Sequence, residues 1–290
     1  MFLASVIRRT LLGQPVRQPI DRFIGCRSMS APSRYEWLLC LAAVALLAIV
    51  ASARLALAVS PLVIDDADTE EPGHLQLNAG WQFSRTGSVS LQSIPVNPVF
   101  GISSRAELGA TFGYQWRDGS GSVPTHADGE SITDLTLATK WRLWQHSPAD
   151  GFKVSGRLDL KLPTASERHR FGTGHVDVSA VVIGTRDWTR TSVDWNVGYT
   201  AVDASRSVFG DDRWLLGQAV RHRLTERWTV IGEAYAVLPQ GNEATPANGH
   251  FDGGAQLALR ENVLLSALVG TGVGRDTSDL TGYLGFTWEL

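Results

Sequence analysis

Beyond residue 40 the chain has no cysteine, since its only two, Cys26 and Cys40, lie near the start. A chain trimmed past them carries no thiol, which suits an oxidising compartment without dependence on disulfides. Charge is scarce at 19% of residues, and the formal net charge of −3 provides no basic footprint for nucleic acid. After residue 53 no apolar run approaches the roughly 18 residues of a spanning helix. Amphipathic helical periodicity is missing as well. These absences exclude a second transmembrane helix after the N-terminal run and a disulfide scaffold.

The start does hold a targeting pattern. Trp37 to Ala53 reads WLLCLAAVALLAIVASA, 17 residues without a charge behind Arg34, and Ala56-Leu57-Ala58 fits an A-x-A cleavage site. The run sits at the short limit for a transmembrane anchor, the competing reading. Met29 stands where a signal peptide would begin. Residues 1–28 carry five arginines and one acid, a composition that organellar transit peptides share.

Residues 74–290 show a period of two. Leu75, Leu77, Ala79, Trp81 and Phe83 alternate with His74, Gln76, Asn78, Gly80 and Gln82. Ala106, Leu108, Ala110, Phe112, Tyr114 and Trp116 alternate with Glu107, Gly109, Thr111, Gly113 and Gln115. Val154, Leu158, Leu160 and Leu162 alternate with Lys153, Ser155, Arg157, Asp159 and Lys161, and the chain ends on Leu284, Phe286, Trp288 and Leu290. Successive strand side chains point to opposite faces, so each segment has one apolar and one polar face.

The pattern predicts strands near 73–84, 88–100, 105–116, 132–144, 152–162, 174–185, 191–201, 213–223, 228–238, 250–260, 263–272 and 280–290. That is about 12, each close to the roughly 9–11 residues that cross a bilayer. The segment around Leu215–Val220 alternates least well. With both termini in the periplasm, the outward links at 117–131, 163–173, 202–212, 239–249 and 273–279 are long. The inward links at 101–104, 145–151, 186–190, 224–227 and 261–262 are short, and only the outward link at Gly87 breaks the rule. Transmembrane barrels show this asymmetry. Trp81, Tyr114, Trp116, Tyr199, Trp214 and Phe251 then fall at outward strand ends. Trp141, Trp144, Phe152, Trp188, Trp195, Trp228 and Trp288 fall at periplasmic ends, giving two belts. The expected fold class is all-β, a transmembrane antiparallel up-and-down β-barrel. Its divisions are a possible over-extended start at 1–28, a signal peptide at 29–58, a periplasmic segment at 59–72 and an outer-membrane barrel at 73–290. Export would run through the periplasm of a Gram-negative cell.

Several stretches carry a resemblance. Pro95 to Gly101 with Arg105-Ala106-Glu107-Leu108 is one, and Asp134-Leu135-Thr136-Leu137 running to Lys140-Trp141-Arg142 is another. Leu162-Pro163-Thr164 is followed by Gly172-Thr173-Gly174-His175-Val176-Asp177, and the end reads Gly282-Tyr283-Leu284-Gly285-Phe286-Thr287-Trp288. In these the chain resembles the outer-membrane family named after the meta-cleavage pathway of phenol degradation. Departures are Thr133 and Ala165 at usual glycine positions and Leu290 where a terminal Phe is usual. The resemblance spans about residues 72–290 and implies a barrel for uptake of aromatic or other hydrophobic small molecules.

The polar faces of such a barrel point into its lumen. They bring Glu107, Asp134, Lys140, Arg142, Lys153, Arg157, Asp159, Lys161, Asp177, Asp194, Glu233, Asp252 and Arg260 there. Glu107, Lys140, Arg142, Arg157, Asp159 and Asp177 can pair across the wall, and Glu107 with Arg142 is the expected couple. These charges either stiffen a narrow lumen or form its selectivity lining. Pro95 and Pro98 interrupt the second strand, because proline cannot donate to a ladder. A bulge at the rim is one explanation and a lateral opening into the membrane is the other.

No catalytic, metal or cofactor site is expected. His169, His175, His222 and His250 lack a G-x-S-x-G nucleophile, and His175 with Asp177 and His169 is too sparse for a firm metal site. Gly270-Thr271-Gly272-Val273-Gly274 precedes no helix and reads as strand. The resulting reading is a passive channel for small hydrophobic or aromatic solutes. Its partners are outer-membrane lipid and the assembly machinery that engages the C-terminal strand. A non-transporting structural barrel is the runner-up, and an embedded lipid hydrolase comes third.

Overall fold

The computed structural model describes residues 62–119, 129–146, 151–166, 171–172, 174–202, 212–240, 248–274 and 277–290. The start and signal segments at 1–28 and 29–58 lie outside the described residues, as does His169. Among the described residues there are thirteen strands and no helix. They are β1 (Leu75–Thr86), β2 (Val89–Ser103), β3 (Ala106–Gly119), β4 (Gly129–Ile132), β5 (Leu135–Gln145), β6 (Phe152–Leu162) and β7 (Asp177–Asp187). There follow β8 (Thr191–Val202), β9 (Arg213–Arg223), β10 (Trp228–Pro239), β11 (Asn248–Arg260), β12 (Val263–Val273) and β13 (Leu280–Glu289).

Each long strand pairs antiparallel with its sequence neighbour, and β13 returns to β1 with Gln76 opposite Glu289 and Arg85 opposite Leu280. The sheet therefore closes on itself. Closure is what lipid demands, since an unpaired backbone group there has no water to bond.

The two faces are inverted relative to a soluble protein. Buried side chains are largely polar, among them Gln76, Lys140, Ser155, Thr185, Asp194 and Asn196. Apolar ones are exposed, including Phe112, Leu143, Val182, Trp188, Trp228, Phe251 and Leu284. Leaving such a surface in water would forfeit about 25 cal/mol for every Å² of apolar area, so the surface belongs in hydrocarbon. The aromatic bands contain direct contacts, with ring centroids 4.9 Å apart for Tyr199–Trp214 and 5.6 Å for Trp144–Phe152.

Twelve strands run at the predicted places and the thirteenth is additional. β3 extends to Gly119, while β5 pairs with it only as far as Thr111. The exposed edge beyond is covered by β4, which pairs with Tyr114 to Arg117. Chain then crosses to β5 with Thr133 N–H bonded to Gly113 O at 2.9 Å. A backbone edge of that length needs a partner, and the link expected as loop supplies it. Gly87, at φ 58°, makes the one tight outward turn, a conformation of the two-residue hairpin that favours glycine. The poorly alternating segment is β9, with the expected bounds.

Residues 62–72 depart from expectation. Read from sequence as periplasmic, they run inside the barrel, where Ile64 and Ala67 are both 0% exposed. This segment also explains β9. Gly217 and Ala219 face the lumen where polar residues would be expected, and a Cβ on Gly217 would overlap Ile64. An apolar patch inside the barrel serves an apolar side chain from the plug.

Candidate functional site

The plug is an acidic peptide in a basic cradle. An extended segment buried in a lumen must have its N–H and C=O groups satisfied. Here the wall's side chains do so. Glu233 accepts the N–H groups of Val63 at 3.1 Å and Ile64 at 2.9 Å. Asn196 accepts Asp65 N–H at 3.0 Å and donates to Asp65 O at 2.8 Å. Thr185 Oγ1 accepts Ala67 N–H at 2.8 Å, and Ser155 Oγ donates to Ala67 O at 2.6 Å. Glu107 accepts Glu70 N–H at 2.7 Å.

Charge pairing follows the same path. Asp65 lies 3.3 Å from Lys140 Nζ and 2.9 Å from Arg157. Asp66 meets Arg221 at 2.9 Å, and Asp68 meets Lys153 at 2.6 Å. Burial opposes ionisation of Asp65, but the Lys140 and Arg157 charges outweigh it and hold the carboxyl below its ordinary range. Glu70 feels the Lys140 charge, but more weakly than the effects that oppose its ionisation. Burial first, then the Glu107 and Glu289 charges, push it up to about 8.

Ten of the thirteen wall residues singled out from sequence fall into three groups; of the others, Lys153 holds Asp68, Asp194 pairs with Arg221, and Arg260 lines the largest of the cavities bordering the plug. Glu107, Lys140, Arg142 and Arg157 hold the plug, with Arg157 also on Asp159 at 3.2 Å. Asp134, Lys161 and Asp177 form a second cluster nearer the long loops, with Lys161 at 3.3 Å from Asp134 and 2.8 Å from Asp177. Glu233 and Asp252 sit opposite each other in the β10–β11 register. The expected Glu107–Arg142 couple is replaced. Glu107 lies 3.3 Å from Lys140, while Arg142 bonds Thr69 at 2.8 Å. Strand parity put these groups on one face, but it is silent about a peptide arriving from outside the sheet. Asp65, Asp66, Asp68 and Glu70 were not singled out. Four acids within six positions ahead of the first strand, beside a lumen to which strand parity assigns six basic residues, were the signal.

The plug borders three cavities. One of about 1320 Å³ opens at the end carrying the barrel termini and is lined by Asp66, Asp68, Glu70 and Arg227. One of about 260 Å³ is lined by Val63, Asp252 and Tyr283. One of about 300 Å³ is lined by Leu62, Asp65 and Asp159.

Pro95 and Pro98 lie within β2. The β1–β2 register omits pairs between Ala79 and Gln82, and the β2–β3 register omits those between Val96 and Val99. Across the second gap Asn97 Nδ2 donates to Ala110 O at 3.1 Å and Thr111 Oγ1 at 2.9 Å. A side chain thus bonds a carbonyl that a proline cannot serve.

Among the described residues no group of three or more His, Cys, Asp or Glu is arranged to hold a metal. His222 shares a 2.8 Å hydrogen bond with Thr191, and His250 stacks on Tyr235 at 4.8 Å.

No curated protein matches the chain by sequence. In structure it is similar to an outer membrane channel from Pseudomonas putida F1, with a TM-score of 0.60 at 14% identity over 78% of this chain and 98% of that one. It is also similar to the NanC porin, at 0.50 and 11% identity over 74% and 100%. The likeness is one of fold. A closed sheet, an apolar exterior, a polar interior and these relatives together describe an outer-membrane β-barrel. Residues 67–290, from within the plug through the last strand, match the family described as "Putative MetA-pathway of phenol degradation", and the chain belongs to it.

Proposed function

We propose that the chain is a passive outer-membrane channel for small hydrophobic solutes, aromatic ones included, and has no catalytic role. The observation that carries this reading is the plug. A porin for sugars or ions needs a continuous water path, whereas here the segment 62–72 borders all three lumen cavities and crosses between opposite walls. A solute of low polarity has less need of water along its route. Membership of a family described by phenol degradation and likeness to an outer membrane channel support the same direction. The lumen charges serve this reading as plug anchors and as a lining that disfavours bulk entry.

The exit belongs to the proposal too. A hydrophobic solute gains nothing from release into water. The register gaps at Pro95 and Pro98, the second of them bridged by the Asn97 side chain rather than by ladder pairs, support a lateral route from lumen to bilayer.

The test uses vesicles with lipopolysaccharide in the outer leaflet, which itself resists apolar solutes. Purified protein should speed toluene entry while arabinose swelling stays near the protein-free control. Rapid arabinose entry with no gain for toluene would replace this reading with an aqueous porin. No gain for either would leave a structural barrel.

A further inference from the structure

Acids on the lumen face generally have a cation beside them. Glu107 has Lys140, Asp159 has Arg157, Asp134 and Asp177 have Lys161, and Asp194 has Arg221. Glu233 and Asp252 depart from this. They are direct cross-strand partners, and among the described residues neither makes an ion pair. Like charges directly opposite one another destabilise a sheet. Their partners are neutral. Glu233 takes the Val63 and Ile64 N–H groups, and Asp252 accepts the Thr281 hydroxyl at 2.6 Å. Such donors solvate the negative charge without neutralising it.

In front of this pair lies the cavity of about 260 Å³, whose other walls include Leu91, Leu268, Tyr235 and Tyr283. Gly270 is the register partner of Asp252 on β12, and a Cβ there would overlap Asp252 Oδ1. The missing side chain lets the carboxylate lie along the wall and keeps the space before it open. Tyrosine rings attract cations to their faces. The volume suits a single ring, since a cavity of about 150 Å³ accepts benzene.

We propose that this cavity binds small organic ammonium ions, with the cation beside Glu233 and Asp252 and the apolar body against the leucines and tyrosines. A neutral hydrophobe would fill the walls and leave two facing acids uncompensated. An inorganic cation would satisfy the acids and leave apolar walls wet. A cationic amphiphile meets both demands. The inference rests on the uptake reading for how a ligand arrives, while binding itself does not depend on it.

The experiment measures equilibrium binding of benzylamine and of benzyl alcohol, its neutral near-isostere, to the protein in nanodiscs. The wild type should prefer the amine by about tenfold or more, the scale of a hydrogen bond to a charged group. Asp252→Asn should remove most of that preference and leave the alcohol unchanged, whereas Asp252→Glu should retain it. Gly270→Ala, whose Cβ would press on the Asp252 carboxylate and also on the Phe251 carbonyl, should weaken the amine alone in the protein that assembles, which heat-modifiable mobility reports for each variant. Equal binding of amine and alcohol to the wild type overturns the ammonium site and leaves hydrophobic uptake standing. A preference that survives both Asp252→Asn and Gly270→Ala overturns this location. Toluene entry into vesicles is measured in parallel, so its failure beside a persistent amine preference would count against uptake and not against the site.

Discussion

Lys140 is 2% exposed and touches both the wall and the plug, through Glu107 and Asp65 at 3.3 Å each. Removing one member of a buried ionic group leaves its partners charged and unpaired, at a cost of about 3–5 kcal/mol. Lys140→Met should therefore unseat the plug. With Cys26 and Cys40 replaced and Ala67→Cys as reporter, labelling by an impermeant maleimide should accelerate by about two orders of magnitude or more. An unchanged rate would show that the other anchors suffice. Glu70 allows a prediction about pH. Seated, it is raised to about 8 from 4.5, so the released segment gives up its proton at lower pH than the seated one. Seating through Glu70 is thus full below 4.5 and is lost as pH rises through 8. Asp65, lowered when seated, contributes above its ordinary 3.8 and fails as pH falls through its seated value. The plug is held best between these limits. Ionic conductance across a planar bilayer should rise from about pH 5 to about pH 8, and Glu70→Gln should flatten that rise. Parity gave each well-alternating strand a polar face, but on β9 it did not find the inward Gly217 and Ala219. The partners of those polar faces were not legible, because Asp65, Asp66 and Asp68 belong to no strand and carry no periodicity that points to the lumen.

At the level of elements, β2 and β13 make opposite demands. β13 pairs along its length with β1, and Trp288 stands opposite Leu77 on one side and Val263 on the other, on the lipid face. Trp288→Asp near an interface should cost about 1–2 kcal/mol and act mainly on insertion; a normal yield of heat-modifiable protein would contradict the outward assignment. β2 instead gives up ladder bonds at its prolines. Pro95→Val with Pro98→Thr should complete the ladder, raise the unfolding temperature and slow apolar uptake. If the double variant is more stable and transports as before, the lateral route is wrong and the gap is only architecture. Ten or so alternating residues made each crossing strand readable. β4 was not readable, since Gly129–Ile132 is too short to alternate and exists only because β3 outruns β5. β9 was blurred for a related reason, as its inward Gly217 answers Ile64 rather than water.

Across the whole molecule, the acidic plug, joined to the barrel at His74, meets a local patch of basic side chains on the inner wall. Asp65→Asn, Asp66→Asn and Asp68→Asn together would remove the anions that face Lys140, Lys153, Arg157 and Arg221. The triple variant should conduct ions far better than wild type while the barrel keeps its heat-modifiable mobility. Conductance equal to wild type would mean that the backbone hydrogen bonds alone keep the lumen shut.

The plug also bears on the order of assembly. Its anchors are spread over β3 and β5 through β10, with Val63 and Glu233 separated by 170 positions and Glu70 and Glu107 by 37. The cradle does not exist until those strands have been laid side by side, and contacts so distant in the chain form late because their loop entropy must be met first. The segment that leaves the ribosome before any strand is therefore the last to find its seat. Until it does, a newly closed cylinder carries unmatched basic side chains inside and stands open to water. Arrival of the acidic peptide is then the step that turns an open cylinder into the finished, occupied one.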